Sequence, residues 1–269
     1  MTAEPEIEEI HVKTKRWEIE RMRRAGQATA AVREAARAAV APGVTTAEIN
    51  DVVNKKLREL GAKPSFLHQQ GFPQYPLYPA SVCVSVNDEI IHGIPGPRVI
   101  REGDIVSIDV GAEIEGYHGD TAVTVAAGVV SEEAQRLIEV TEKSFYAGLE
   151  FAKPGNHVRD ISAAVGRYAE KFGYSVVRGY TGHGIGKDLH EGPSIPNSLH
   201  EYFPDLDVML VPGMTFCIEP MIMTGSHRIR LKPDGWTVVT RDGSLAAHYE
   251  HTILITETGN ELLTEWKQS

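Results

Sequence analysis

Between residues 15 and 40 apolar side chains recur every third or fourth position: Ile19, Met22, Ala25, Ala28, Val32, Ala35 and Ala39. That period gathers them on one stripe and predicts a single long helix. Pro42-Gly43 breaks the pattern, after which Thr45 or Thr46 can cap a second helix running to about Leu60-Gly61. The passage has a second copy. "APGVTTAEINDVVNKKLRELGA", from Ala41, aligns without gaps on "KPGNHVRDISAAVGRYAEKFGY", from Lys153. The offset of 112 pairs Pro42 with Pro154, Gly43 with Gly155, Ile49 with Ile161, Val53 with Val165 and Gly61 with Gly173. Each copy follows a helical stretch, 16–40 and 131–152. β-type patterns occupy 80–88, 104–113, 118–128, 174–179, 214–224, 228–231, 236–240 and 250–256. Turn pairs such as Glu115-Gly116, Asp234-Gly235 and Asp242-Gly243 separate several of them. Helices confined to two blocks predict an α+β fold with a largely antiparallel sheet. The repeat predicts two pseudo-symmetric halves within one domain, 15–269, preceded by a loosely ordered extension, 1–14.

Composition narrows the function. The chain has 269 residues, ordinary apolar and charged fractions of 42% and 24%, and a net charge of -10. An acidic surface argues against nucleic-acid readout and against an anionic membrane, since both need basic patches. No apolar run approaches a spanning helix, and "MTAEPEIEEIHVK" carries no secretory core. Cys83 and Cys217 lie in separate β-like segments and read as buried, reduced thiols. A cytoplasmic protein is the expectation.

The chemistry begins with two aspartates. In "IVSIDVGAEIEGYHGDTAVTV", Asp109 and Asp120 stand in apolar runs joined by Glu115-Gly116. With a two-residue hairpin turn, opposed positions sum to an odd number, and 109 + 120 = 229 is odd. Both side chains then share one face of the sheet. Two such carboxylates repel unless a cation intervenes; the plain alternative is one capping a turn and the other meeting an arginine. "TGHGIGKDLHEGP" adds His183 and His190 in irregular, glycine-rich chain. "GMTFCIEPMIM" embeds Glu219 in an apolar strand, and "HYEHTILIT" opens another with Glu250. Four carboxylates and an imidazole in apolar surroundings suit two divalent cations such as Mn, Fe, Co or Zn. Such a pair supports metal-dependent hydrolysis, with the bond cleaved left open.

"DEIIHGIPG", "SIDVGAEIEGYHGDTA", "GHGIGKDLHEGP", "FCIEPMIM" and "YEHTILIT", in this order, resemble the bacterial type I methionine aminopeptidases from about residue 15 onward. The resemblance implies the pita-bread fold of that family. It implies removal of the initiator methionine from nascent chains, ahead of a small second residue, by attack of a metal-bridging hydroxide. Asp109 would then hold one cation, Asp120 and Glu250 bridge both, and His183 and Glu219 complete the second site. Glu219 would also shuttle a proton, His190 would stabilise the oxyanion, and His92 would contact the scissile nitrogen. Tyr75, Tyr78, Cys83, Leu189 and Trp236 would line the methionine pocket, with Phe72 nearby. Leu189 stands where the family commonly has an aromatic residue, and Ile91 where many members have cysteine. A monomer is implied, with the ribosome as a candidate place of encounter. The alternatives are an Xaa-Pro peptidase of the same fold, or a catalytically inactive peptide-binding relative.

Overall fold

The structure, a computed structural model, describes residues 9–201 and 207–266. Its first half opens with two helices, α1 (Arg16–Ala39) and α2 (Thr46–Leu60). These are followed by β1 (Lys63–Pro64), β2 (Val82–Val86), β3 (Glu89–Ile91), β4 (Ile105–Ile114) and β5 (Tyr117–Ala126). The second half repeats the plan with α3 (Glu132–Leu149) and α4 (Val158–Lys171). After them come β6 (Ser175–Val176), β7 (Gly182–Gly184), β8 (Glu191–Ile195), β9 (Thr215–Ile218) and β10 (Met221–Met223). The chain ends with β11 (Ile229–Leu231), β12 (Val238–Thr240), β13 (Ala246–His248), β14 (Glu250–Ile255) and β15 (Asn260–Leu262).

The offset of 112 survives in the backbone. Thr46 opens α2 and Val158 opens α4, and 46 + 112 = 158. Gly61 and Gly173 both take positive φ, 65° and 80°, where the helices stop and only glycine turns freely. Thr45 accepts from the Glu48 amide at 3.2 Å while Glu48 accepts from the Thr45 amide at 2.7 Å, a reciprocal cap.

The main sheet runs β1-β4-β5-β14-β9-β7-β8, with β2 also on β4 and β15 on β14, and every pairing is antiparallel. Each helix pair covers its own half. Val32, Ala36, Ile49, Val53 and Leu57 pack on Val84, Val106, Ile108 and Val110. In the other half Phe145, Val158, Ile161 and Val165 pack on Phe216, Ile218 and Ile253. Helices thus occupy one face of the sheet and leave the other face of its central strands for chemistry.

Three expectations need correction. The glycine-rich passage around His183 and His190 is only partly irregular: His183 lies in β7 and Glu191 opens β8, while residues 185–190, with Leu189 and His190, form the irregular turn between them. The predicted strand 214–224 is two strands in different sheets, β9 in the main sheet and β10 in the β13-β10-β6 sheet. Glu219 therefore stands in the break before Pro220, which lacks the amide a continuous ladder needs. Residues 9–14, expected to be loose, are docked: Ile10 bridges Gly192, and Lys13 is buried. The rest of the proposed extension, 1–8, lies outside the described residues.

Candidate metal centre

Strand register brings the four carboxylates together. Glu115 and Gly116 form a two-residue turn with positive φ at both positions, 53° and 76°, the geometry that matches strand twist. Asp109 consequently opposes Ala122, and Asp120 opposes Gly111. On its other side Ala122 opposes Glu250 of β14. His251 opposes Ile218, so Glu219 is the next residue in register and faces Glu250. Opposed residues and those two apart share a face, so Asp109, Asp120, Glu250 and Glu219 form one row across three strands and the end of β9. The Ala122 methyl between them leaves the middle of the row open. Gly184 pairs with Phe216, which delivers His183 to the same face beside Cys217.

The distances match the register. His183 Nε2 lies 3.6 Å from Glu219 Oε1 and 3.9 Å from Asp120 Oδ2. Its Nδ1 donates to the Gly184 carbonyl at 2.9 Å, which leaves Nε2 as a lone pair aimed at the carboxylates. One oxygen each of Asp109, Asp120 and Glu250 falls within 4.8 Å of the others.

Electrostatically the site is frustrated by itself. Among the described residues no lysine or arginine pairs with any of the four carboxylates. Asp109 Oδ1, Asp120 Oδ1 and Glu250 Oε1 are buried without a hydrogen-bond partner. Burial lifts the Asp109 carboxyl to about 7, restrained by hydrogen bonds with Asp120 and Cys83. Asp120, Glu219 and Glu250 are pushed well above the carboxylate range by burial first and by one another's charge second. Burial holds His183 down at about 3, so its imidazole is neutral. Neutral imidazole plus clustered oxygens with free lone pairs is the donor chemistry of divalent transition-type cations, and a cation removes both the repulsion and the orphaned acceptors. The residues fit the group. Cys217 also lies near His183 and Glu250. Its thiol is pushed well up by burial and then by Glu250 and Asp120, so it stays protonated and serves as packing.

Sequence reasoning missed His248. It is 2% exposed, its Nε2 lies 3.8 Å from Glu219 Oε2 and 3.9 Å from Glu250 Oε2, and neither ring nitrogen has a partner. The only signal was its place two residues before Glu250, which puts both on one side of an extended chain.

The other predicted residues lie in part beside this row. The His190 ring meets His183 edge-on at 4.4 Å; it is solvent-exposed yet set deep among protein atoms, which lower its pKa. His92 has φ of 59°, unusual for a side-chain-bearing residue, and burial lowers its imidazole to about 4. Its ring stands 6.1 Å from Trp236, which in turn meets Tyr78 at 5.1 Å. Tyr78, Cys83 and Leu189 are buried in one cluster against Trp236, and Cys83 opposes Asp109 across β2 and β4. Tyr75 packs on Gly235 instead, and Phe72 is half exposed at 51%. Neither belongs to that cluster.

A curved antiparallel sheet presenting buried oxygen donors and a neutral imidazole defines a metallohydrolase. The chain belongs to metallopeptidase family M24, whose model matches residues 20–257. Its relatives there are methionine aminopeptidases. Methionine aminopeptidase 1 of Bacillus subtilis is 47% identical, covering 90% of this chain and 94% of that protein. The enzyme of Aquifex aeolicus is 44% identical over 92% of this chain and 96% of its own length. The crystal structure of methionine aminopeptidase from Thermotoga maritima superposes with a TM-score of 0.88 at 42% identity, covering 96% of this chain and all of that one. Prolidase from Pyrococcus furiosus, at 23% identity and a TM-score of 0.75, shares the fold, and 66% of its length is covered. The resemblance and the pita-bread fold expected from the motifs are borne out.

Proposed function

We propose that this chain removes the N-terminal methionine from newly made polypeptides with a small second residue, in the cytoplasm and as a monomer. The observation that carries the reading is the row of unpaired buried carboxylates flanked by a cluster of aromatic, aliphatic and thiol side chains. Asp109, Asp120, His183, Glu219 and Glu250 would hold two divalent cations, from among Mn, Fe, Co and Zn. When bound, these supply positive charge that polarises the scissile carbonyl and makes water a usable nucleophile at neutral pH.

The chain's own residues do the rest. Glu219, beside His183 at the end of the row, accepts a proton from the attacking water and delivers it to the departing amine. His190, exposed at the mouth beside His183, donates to the carbonyl oxygen as it becomes negative. His92 contacts the scissile nitrogen. Tyr78, Cys83, Leu189 and Trp236 take the methionine side chain, whose flexible thioether packs well on aromatic edges. Tyr75 flanks them from the Gly235 side, and Phe72 lies further out.

The test strips the protein of metal, restores Mn or Co, and compares a Met-Ala-Ser peptide with an Ala-Pro-Ser peptide. Metal-dependent cleavage of the first alone is expected. Cleavage of the second would move the chain to the Xaa-Pro peptidases. Cleavage of neither, with metal bound, would leave a peptide-binding protein.

A further inference from the structure

Lysine is among the residues least often buried, yet Lys13 is 5% exposed. It lies in a segment that the sequence marks as a charged extension. Its ammonium meets Glu191 Oε2 at 2.7 Å and also donates to the carbonyls of Ile185 and His11, each at 3.0 Å. Glu191 is equally buried at 5%. Its other oxygen accepts from the amides of Lys187 at 2.8 Å and Asp188 at 3.2 Å. A single carboxylate thus gathers the whole turn between β7 and β8, with Lys13 closing it from outside. His11 stands 3.6 Å away on the same oxygen.

The backbone is tied as firmly. The Gly192 amide donates to the Glu9 carbonyl at 3.1 Å, and the Lys13 amide donates to Gly213 at 2.8 Å. At Gly186 an added Cβ would sit 2.5 Å from both Glu191 Oε1 and Lys13 Nζ, so the glycine is what lets the ion pair close against the turn. Burial opposes the charge on both partners. For Lys13 it prevails and lowers the pKa, while for Glu191 the ammonium and backbone donors outweigh it and hold the carboxyl low. The two groups meet at 2.7 Å, and removing either leaves the other buried without its partner.

The turn so clamped runs from Ile185 to Glu191 and carries Leu189 and His190. We propose that residues 9–14 are a strap whose Lys13–Glu191 pair acts as a positioning device for His190, making this segment part of the catalytic apparatus. This rests on the role given to His190 in the proposed function. The reasoning is geometric. Glu191 follows His190 directly, and its carboxylate fixes the chain on both sides of that residue. A displacement of about 1 Å at a group that stabilises a developing charge can reduce turnover about a hundredfold.

The test uses metal-loaded protein and the double variant Lys13→Met/Glu191→Gln, which removes both charges at similar volume and strands neither ion. We expect a cooperatively folded protein of unchanged metal stoichiometry, kcat about 10- to 100-fold lower, and KM within about threefold. Hydrogen exchange at the Lys187, Asp188 and Gly192 amides should accelerate. In a His190→Ala background the double variant should lower kcat by no more than about twofold further, because the group it positions is gone. Lys13→Arg, which keeps both charges, should lose less turnover than the double variant. Turnover within twofold of the parent, unchanged exchange, or a full additional loss in the His190→Ala background would each overturn the proposal. If the parent cleaves only the Ala-Pro-Ser peptide, the substrate reading falls and the same cycle is run on that peptide. If it cleaves neither, both proposals fall.

Discussion

Replacing Asp109 by asparagine should stabilise the metal-free protein at pH 8 while weakening its response to metal. Asp109 titrates near 7 in the fold against an ordinary 3.8. A carboxyl whose folded pKa is raised carries no penalty below the unfolded value. The penalty grows as pH climbs from about 4 to about 7 and is complete at pH 8. Three pH units at about 1.4 kcal/mol each make roughly 4 kcal/mol. Asparagine keeps the shape and never ionises, but its amide brings two N–H donors into a buried site, and leaving one of them unpaired costs about 1–3 kcal/mol. A net gain of about 1–3 kcal/mol remains, several degrees in melting temperature at roughly 2–4 °C per kcal/mol for a chain of this size. The assay is thermal unfolding of chelator-treated parent and variant at pH 4 and pH 8, then with Mn added. The variant should melt higher than the parent at pH 8 and lose that advantage at pH 4. With Mn the order should reverse, since a cation at about a thousand times its dissociation constant adds about 4.1 kcal/mol to the parent that binds it fully and less to the variant. A metal-free variant that melts below the parent at pH 8, or keeps its advantage unchanged at pH 4, would refute the electrostatic account.

Glu219→Ala should leave the fold and its cooperative melting intact while eliminating turnover of methionyl peptides. Activity within about tenfold of the parent, only 1.4 kcal/mol of barrier, would rule out its proton-carrying part. His248→Leu should weaken metal binding about 10- to 100-fold by calorimetry, because it removes the donor facing the outer oxygens of Glu219 and Glu250. His248→Gln, which retains an N–H there, should stay within a few-fold. Equal affinities for all three proteins would reduce His248 to packing.

The parts of the molecule legible in the sequence are those governed by local period. Helix stripes set α1 to α4, and the repeat at offset 112 was readable because both copies need a glycine in the same left-handed position. The hairpin turn at Glu115-Gly116 fixed the parity that puts Asp109 and Asp120 on one face, since a period of two leaves no third choice. What escaped depends on partners distant in sequence. β7 and β8 are short and contain glycine, so their strand character comes from pairing, β7 with β9 and β8 with β7, rather than from β-branched side chains. Glu219 was assigned to a continuous strand because an apolar run hides a change of sheet. Lys13 looks like a solvated charge until Glu191, far along the chain, arrives beside it. His248 was passed over because nothing local separates a buried imidazole facing carboxylates from one filling space.

The row of donors crosses the seam between the two halves, and this orders events in time. Asp109 and Asp120 come from the first half, His183, Glu219 and Glu250 from the second, with Glu250 the first residue of β14. A chain emerging from synthesis has its two aspartates long before it has their neighbours. The row is complete only when β14 is in place. A fragment interrupted anywhere before that strand carries acidic residues but no assembled centre. The centre therefore exists only once β14 has joined the sheet beside β5.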